Sequence, residues 1–306
     1  MLGIVLMLFV AGMDYHIWQR LAVFGYLAAV ALSVAVMLFG REINGSKRWL
    51  ALGPFSFQPS EFAKVALILF LADLVTKNVK TIGKMWTLCR IMFWILPIVG
   101  LVGASNLSTA IIILGIGVIL IFVASPKYAQ FAMMGIAGAC FMGIFLALES
   151  YRLERLAIWR NPEKYEKGYQ TLQGLYAIGS GGVFGVGIGN SVQKLGFVPE
   201  AQNDMIFSII CEELGLAGAG IIVFLFLLLI WRFFLIASGS RDLFGALIAT
   251  GAMAHMMIQV ILNIAVVTNT IPNTGITLPF ISYGGTSVMF LLIEMGLVLS
   301  VSQVVD

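Results

Sequence analysis

The chain has 306 residues, 60% of them hydrophobic and 11% charged, with a net charge of +3. A mean hydropathy of +1.00 excludes a soluble domain of this size, and basic residues that are scattered rather than clustered exclude a nucleic-acid-binding surface. Long runs that are solidly apolar, without alternation at every second residue, exclude a membrane β-barrel; they leave an all-α fold, a polytopic bundle of transmembrane helices forming one domain over 1–306.

A helix needs about 20 apolar residues to cross the hydrocarbon of a bilayer. In chain order the candidates are 2–13, 21–40, 61–76, 86–105, 107–125, 128–149, 216–236, 244–268 and 285–303, nine spans in all. The run 91–125 would reach about 52 Å as a single helix, so a hairpin is expected near Ser105-Asn106-Leu107-Ser108. The opening segment covers only about 18 Å before Asp14, Tyr15 and His16, which suits an angled entry or a chain with residues ahead of Met1. A signal peptide is the rival reading, but a basic start and a small-residue cleavage site are both missing.

Orientation follows from the basic residues of short loops. Lys77, Lys80, Lys84 and Arg90 form a connection without an acid, and Arg232 and Arg241 flank another, so both are assigned to the cytoplasm. The chain between them must then cross an even number of times, which the candidates there satisfy. Parity also keeps Thr171–Gly189, uncharged and holding seven glycines, from being a further span; it is expected to be re-entrant or to lie on the surface. The first loop 41–60, the large loop 150–210 and the Pro/Gly-rich loop 269–285 fall outside, and the C-terminus inside. Loop 150–210 exceeds an ordinary connection, which points to function, although the mixed charges of 152–167 equally suit a helix lying at the headgroups.

Ionisable groups in or beside spans are costly and are the first candidates for chemistry. One cluster runs from Gly45-Ser46-Lys47-Arg48-Trp49 through Phe57-Gln58-Pro59-Ser60-Glu61 to Lys64. Ser60 reads as a helix N-cap, and Glu61 and Lys64 share a face at i and i+3. Either they merely satisfy the helix end, or Arg48 and Lys64 face a cavity and hold phosphate. A second cluster runs from Pro199-Glu200 through Asn203-Asp204 to Glu212-Glu213. Asp204 stands where an apolar helix begins and is either a cap or a reactive acid; on helical geometry Asp204 and Glu212 roughly share a face, expected to line a cavity. The third, Asn269 to Ser287, carries two prolines and several glycines and hydroxyls, irregular backbone of the kind tolerated at membrane depth only when buried or lining a cavity.

His16 and His255 lack partners at metal-ligand spacing. His255, Gln259 and Asn263 form a polar stripe at i, i+4, i+8, best read as interhelical hydrogen bonding. The glycines of 181–189 have neither a preceding strand nor a Lys-Ser/Thr pair and are not read as a nucleotide loop. Cys89, Cys140 and Cys211 stand singly in apolar stretches and are expected to be buried packing residues.

These clusters, in this order, resemble the shape, elongation, division and sporulation (SEDS) family of membrane glycosyltransferases, RodA, FtsW and SpoVE. The resemblance rests on Gly45-Ser46-Lys47-Arg48-Trp49, Phe57-Gln58-Pro59-Ser60-Glu61 with Lys64, Asn106-Leu107-Ser108-Thr109-Ala110, the block from Pro199-Glu200 to Glu213, and Leu278-Pro279-Phe280-Ile281-Ser282-Tyr283-Gly284-Gly285. Asn190, Gln193 and Lys194, within Gly189-Asn190-Ser191-Val192-Gln193-Lys194, look more like the division and sporulation branch. The resemblance implies a bacterial cell-membrane enzyme, its active site on the outer face, that polymerises lipid II beside a class B penicillin-binding protein and other division proteins. It places the essential acid at Asp204. Lys47, Arg48, Trp49, Gln58, Ser60, Glu61, Lys64, Asn190, Gln193, Lys194, Glu200 and Ser282 become candidate substrate contacts, with Mg2+ or Mn2+ a candidate for neutralising the pyrophosphate. Family members usually open with one more span, ten in all; the turn often read as Asp-Leu-Gly-Thr-Ala begins here with Asn106, and Asn203 replaces a frequent threonine. Two rival functions stay open: a lipid flippase, for which an inverted repeat would be expected and none is found, and a non-catalytic scaffold, which would not need Asp204.

Overall fold

The structure, a computed structural model, describes residues 1–306 except 44–45, 53–54, 126, 133–134, 136–155 and 306, and only the backbone at 41–43, 46–47, 51–52 and 55. In chain order the elements are α1 (Leu2–Ala11), α2 (His16–Phe39), β1 (Arg41–Ile43), β2 (Ser46–Leu52), β3 (Phe55–Phe57), α3 (Pro59–Asn78), α4 (Met85–Ser105) and α5 (Leu107–Ala124); after them come α6 (Tyr169–Gly181), α7 (Ile206–Gly239), α8 (Leu243–Val267) and α9 (Gly285–Ser302). Among the described residues six helices, α2, α4, α5, α7, α8 and α9, are long and apolar enough to cross a membrane. The chain is a multi-pass membrane protein. Most of the expected span 128–149 and the start of 152–167 lie outside the described residues; within the latter, 156–160 are helical and 3-10 turns follow at Pro162–Lys164 and Glu166–Gly168.

The described chain divides into two compact units. The first comprises Met1–Tyr128, Ile230–Ile258 and Gly284–Asp306. Its centre is α3, which packs against α2, α4, α5 and α9. Four charges on α3 would forbid a lipid-facing position, and the helix resolves them in pairs: Lys64 lies 3.0 Å from Glu61, both buried, and Lys77, exposed in the last turn, reaches back to the buried Asp73 at 2.6 Å. The α4–α5 hairpin turns at Asn106, whose extended backbone breaks the helix and whose Oδ1 caps the next one by accepting from the Thr109 amide at 3.2 Å.

Several expectations need correction. The helix expected from 21 begins at His16, because Gln19 finds a buried partner: its amide donates to Asp73 at 3.0 Å. The first loop carries an antiparallel meander, β1-β2-β3, with Lys47 opposite Glu42, Trp49 opposite Arg41 and Leu50 opposite Phe57; with strands of three to seven residues, its alternation is too brief to register in sequence. Ser60 is not the N-cap of α3. Gln58 holds that place and Pro59, whose ring presets the helical φ, is the first helical residue. Cys211 is buried but Cys89 is exposed, because the face of α4 that carries it looks away from the unit's interior.

The second unit comprises Ala129–Leu229 and Gln259–Tyr283. Its main helix, α7, departs from helical geometry at Gly215, where φ is 67° and ψ −171°. That conformation suits glycine alone, and a Cβ there would come within 2.4 Å of the Gly185 nitrogen and the Val183 oxygen. The helix therefore breaks into 206–214 and 216–239 against a returning loop.

Candidate active site

Asp204 sits in the turn that leads into α7, only 8% exposed. The turn is formed before the helix starts: the Asn203 amide donates to the Glu200 carbonyl at 2.9 Å, and Glu200 itself has φ 55°. Asn203 also donates through its side-chain amide to the Glu200 carboxylate. Three anchors from the Pro/Gly loop and α8 then fix the turn. Ser282 Oγ donates to the Asn203 carbonyl at 2.6 Å and accepts from the Leu278 amide at 2.7 Å. The Tyr283 amide donates to the Gln202 carbonyl at 2.8 Å. Asn263, fully buried on α8, donates through Nδ2 to the Asp204 carbonyl at 2.8 Å and to the Ile276 carbonyl at 2.7 Å. One turn earlier, Gln259 donates to the Thr277 carbonyl at 3.0 Å. Gln259 and Asn263 of the polar stripe on α8 thus bond carbonyls of the loop and of the Asp204 turn rather than a neighbouring helix, and the irregular backbone is tolerated where the Ile276 and Thr277 carbonyls are taken.

The Asp204 carboxylate is met by Gln170 of α6, whose Nε2 lies 3.4 Å from Oδ1 and also donates to the Pro199 carbonyl at 3.3 Å. Burial is the largest influence on its acidity and pushes its pKa up to about 6; the nearby Glu200 charge acts the same way, while its own amide, Gln170 and the Met205 amide oppose both. Close packing continues behind it: Met205 lies across Gly174 of α6, where a Cβ would meet the methionine methyl at 2.2 Å.

Glu212 and Glu213 do not accompany Asp204. The glycine-rich loop after α6 folds back onto α7 and claims both acids. Glu212 accepts from the Ser191 hydroxyl and from the Val192 amide at 3.1 Å; Glu213 accepts from Lys194 Nζ at 2.6 Å and from the Ser191 amide at 3.4 Å. The expectation of a cavity face shared by Asp204 and Glu212 is corrected, since Asp204 precedes the helix that the geometric argument assumes. Lys194 is an ion-pair partner of Glu213, Asn190 donates to the Val186 carbonyl at 3.2 Å, and Gln193 lies in the 3-10 turn beside Glu212.

The remaining candidates lie in the first unit. Lys47 and Trp49 are strand residues of β2. Arg48 Nε donates to the Ser105 carbonyl at 3.1 Å, in a cleft also lined by Ser60, Pro59 and Asn106. Gln58 donates to the Ser60 hydroxyl at 3.2 Å. Beside the Glu61–Lys64 pair stands a second, His255 Nδ1 to Glu294 Oε2 at 2.7 Å, with both side chains 2% exposed. Among the described residues no three His, Cys, Asp or Glu side chains are grouped to hold a metal ion.

A family model described as "Cell cycle protein", that of FtsW, RodA and SpoVE, matches residues 1–306. The chain belongs to this family. It is similar to Stage V sporulation protein E of Bacillus subtilis, 39% identical over 99% of this chain and 84% of that one. It is similar also to the "Probable peptidoglycan glycosyltransferase FtsW" of Coxiella burnetii, 36% identical over 98% of this chain and 83% of that one. Among solved structures it resembles a chain of a peptidoglycan synthase complex that coordinates polymerization and crosslinking, with a TM-score of 0.85 and 29% identity over 99% of this chain and 86% of that chain. The crystal structure of the rod shape determining protein RodA of Thermus thermophilus gives 0.71 at 29% identity, covering 99% and 84%.

For this member of the SEDS family, two functional candidates escape sequence reasoning. Glu294 is the lone acid of an otherwise apolar span, a signal available under the rule that intramembrane charges are functional candidates. Gln170 carries no such mark; only the fold brings it to Asp204.

Proposed function

We propose that the chain is a peptidoglycan glycosyltransferase that polymerises lipid II, with Asp204 as the general base. The observation that carries this reading is the buried Asp204 carboxylate, pushed to a pKa of about 6 and held by anchors on both sides of its peptide. Such a group is ionised at neutral pH yet more basic than an ordinary aspartate, which suits removal of a hydroxyl proton in the transition state. In the step proposed, the proton of the acceptor sugar's 4-hydroxyl passes to Asp204 as its oxygen attacks the anomeric carbon; the bond from that carbon to the lipid pyrophosphate breaks, and configuration inverts. Lys194, in the same unit as Asp204 and tied to Glu213, is the proposed cation for the departing pyrophosphate. The candidate Mg2+ or Mn2+ has no protein-built ligand set among the described residues.

Relatives named for sporulation and for FtsW support a role in cell division or sporulation. A solved relative in a complex of polymerization and crosslinking supports a class B penicillin-binding protein as partner, and the charge-based orientation puts the proposed reaction at the outer face of the cell membrane. The test is Asp204→Asn, purified with its transpeptidase partner and given lipid II. Glycan strands are expected to fall by about 10²-fold or more while the protein stays folded. Strand synthesis at the parental rate would overturn the base assignment, and lipid scrambling in proteoliposomes that persists in the variant would favour the flippase.

A further inference from the structure

The loop 182–197, between α6 and α7, presents large apolar side chains outward: Phe184 is 85% exposed, Ile188 81% and Leu195 75%. Its single ionisable residue, Lys194, is neutralised by Glu213 at 2.6 Å. A loop made for water would leave its backbone donors to the solvent. This one turns them inward. The Val186 and Gly187 amides donate to the Glu212 and Glu213 carbonyls at 2.9 and 3.0 Å; those of Ser191 and Val192 donate to the carboxylates of the same two residues, that of Gly185 to the Gly181 carbonyl at the end of α6, and those of Asn190 and Leu195 within the loop. Apolar outside and hydrogen-bonded inside is the condition for irregular backbone in a hydrocarbon environment.

The depth of the loop follows from the break at Gly215. After it, 216–239 is a helix of about 36 Å, enough to span the hydrocarbon by itself. Its first amides would be orphans, and the loop caps them: Leu216 donates to the Gly182 carbonyl at 2.9 Å and Ala217 to the Val183 carbonyl at 3.0 Å. Leu216, 71% exposed, opens the lipid-facing side of α7. The loop is therefore continuous with a bilayer-facing surface at the level where the span begins.

We propose that residues 183–197 form a membrane-inserted wedge, with Phe184 and Ile188 seated among the lipids of the leaflet at the N-terminal end of α7. On the charge-based orientation this is the outer leaflet. The inference is independent of the role of Asp204, and its readout involves no catalysis.

Nitroxide labels test it. In a background of Cys89→Ser, Cys140→Ser and Cys211→Ala, single substitutions Phe184→Cys and Ile188→Cys are spin-labelled in the full chain in nanodiscs of phosphatidylethanolamine and phosphatidylglycerol. Collision rates with dissolved oxygen and with a water-soluble nickel chelate are compared with Phe224→Cys as lipid reference and Lys80→Cys as water reference. The oxygen-to-nickel ratio at 184 and 188 is expected to be several-fold above that at 80 and near that at 224. A ratio at both positions equal to that at 80, or protection from nickel that arises only when the transpeptidase partner is added, would overturn the wedge. Both substituted side chains point away from the fold, so loss of structure does not confound the reading.

Discussion

Glu61 and Glu294 of the first unit and Asp204 of the second are buried to a similar degree, at 6%, 2% and 8% exposure, and are treated in opposite ways. Glu61 has Lys64 at 3.0 Å and Glu294 has His255 at 2.7 Å. Asp204 has Gln170 at 3.4 Å, and among the described residues no cation within ion-pair distance. A buried pair satisfies its polar groups: Glu61 and Lys64 do so within α3, while His255 and Glu294 join α8 to α9 in a medium that offers no water. A buried acid without a cation keeps its charge uncompensated and its basicity high. The difference separates acids that hold the helices from the acid suited to take a proton.

The strongest way to break this comparison is Asp204→Asn. Beyond the loss of polymerisation of about 10²-fold or more, the variant is expected to be no less stable than the parent at pH 8. The sign follows from linkage: the folded state holds the Asp204 proton up to about pH 6, whereas the unfolded chain releases it near 3.8. The stability contributed by this group therefore falls as pH rises through that window, by at most about 3 kcal/mol. Thermal unfolding of parent and variant at pH 4 and pH 8 reads it, and a variant less stable at pH 8 would place Asp204 with the paired acids.

Next in size is Glu61→Ala. Removing one member of a buried ion pair should cost about 3–5 kcal/mol, seen as a lower unfolding temperature in detergent. The double change Glu61→Gln with Lys64→Met should recover most of it, because a well-packed neutral pair avoids the desolvation cost. The pH dependence of polymerisation comes third. Its acid limb should have an apparent pKa of about 6, falling tenfold for each pH unit below; a limb near 4 would show an Asp204 like any surface carboxylate. Smallest is Asn263→Ala. It releases the Asp204 carbonyl, and a loss of about 1–3 kcal/mol should appear mostly in kcat, with KM for lipid II little changed.

Much of the fold was legible because lipid imposes a crude rule: apolar runs of sufficient length form helices, and among the described residues six such helices lie where runs were expected. The meander at 41–57 and the start of α2 at His16 were not, since short strands carry little periodicity and Gln19 enters a helix on account of Asp73, a residue 54 positions away in sequence. At the candidate site, Asp204 stood out through its motif and the stripe on α8 through its spacing. Glu294 was passed over because one acid scarcely lowers the hydropathy of an 18-residue helix. Glu212 and Glu213 were assigned to a cavity because helical geometry sees neighbours along a helix and not a loop folding back upon it.

By itself the sequence determined the environment, the family and the identity of the unusual acid, since hydropathy and motif residues are local properties that need no partner. Which acids are paired, and that among the described residues no cation stands within ion-pair distance of Asp204, was decided by tertiary structure alone. Lys64 and Lys194 each neutralise one particular carboxylate and His255 hydrogen-bonds another, and whether a charge is compensated depends on distances of about 3–4 Å that no one-dimensional pattern shows.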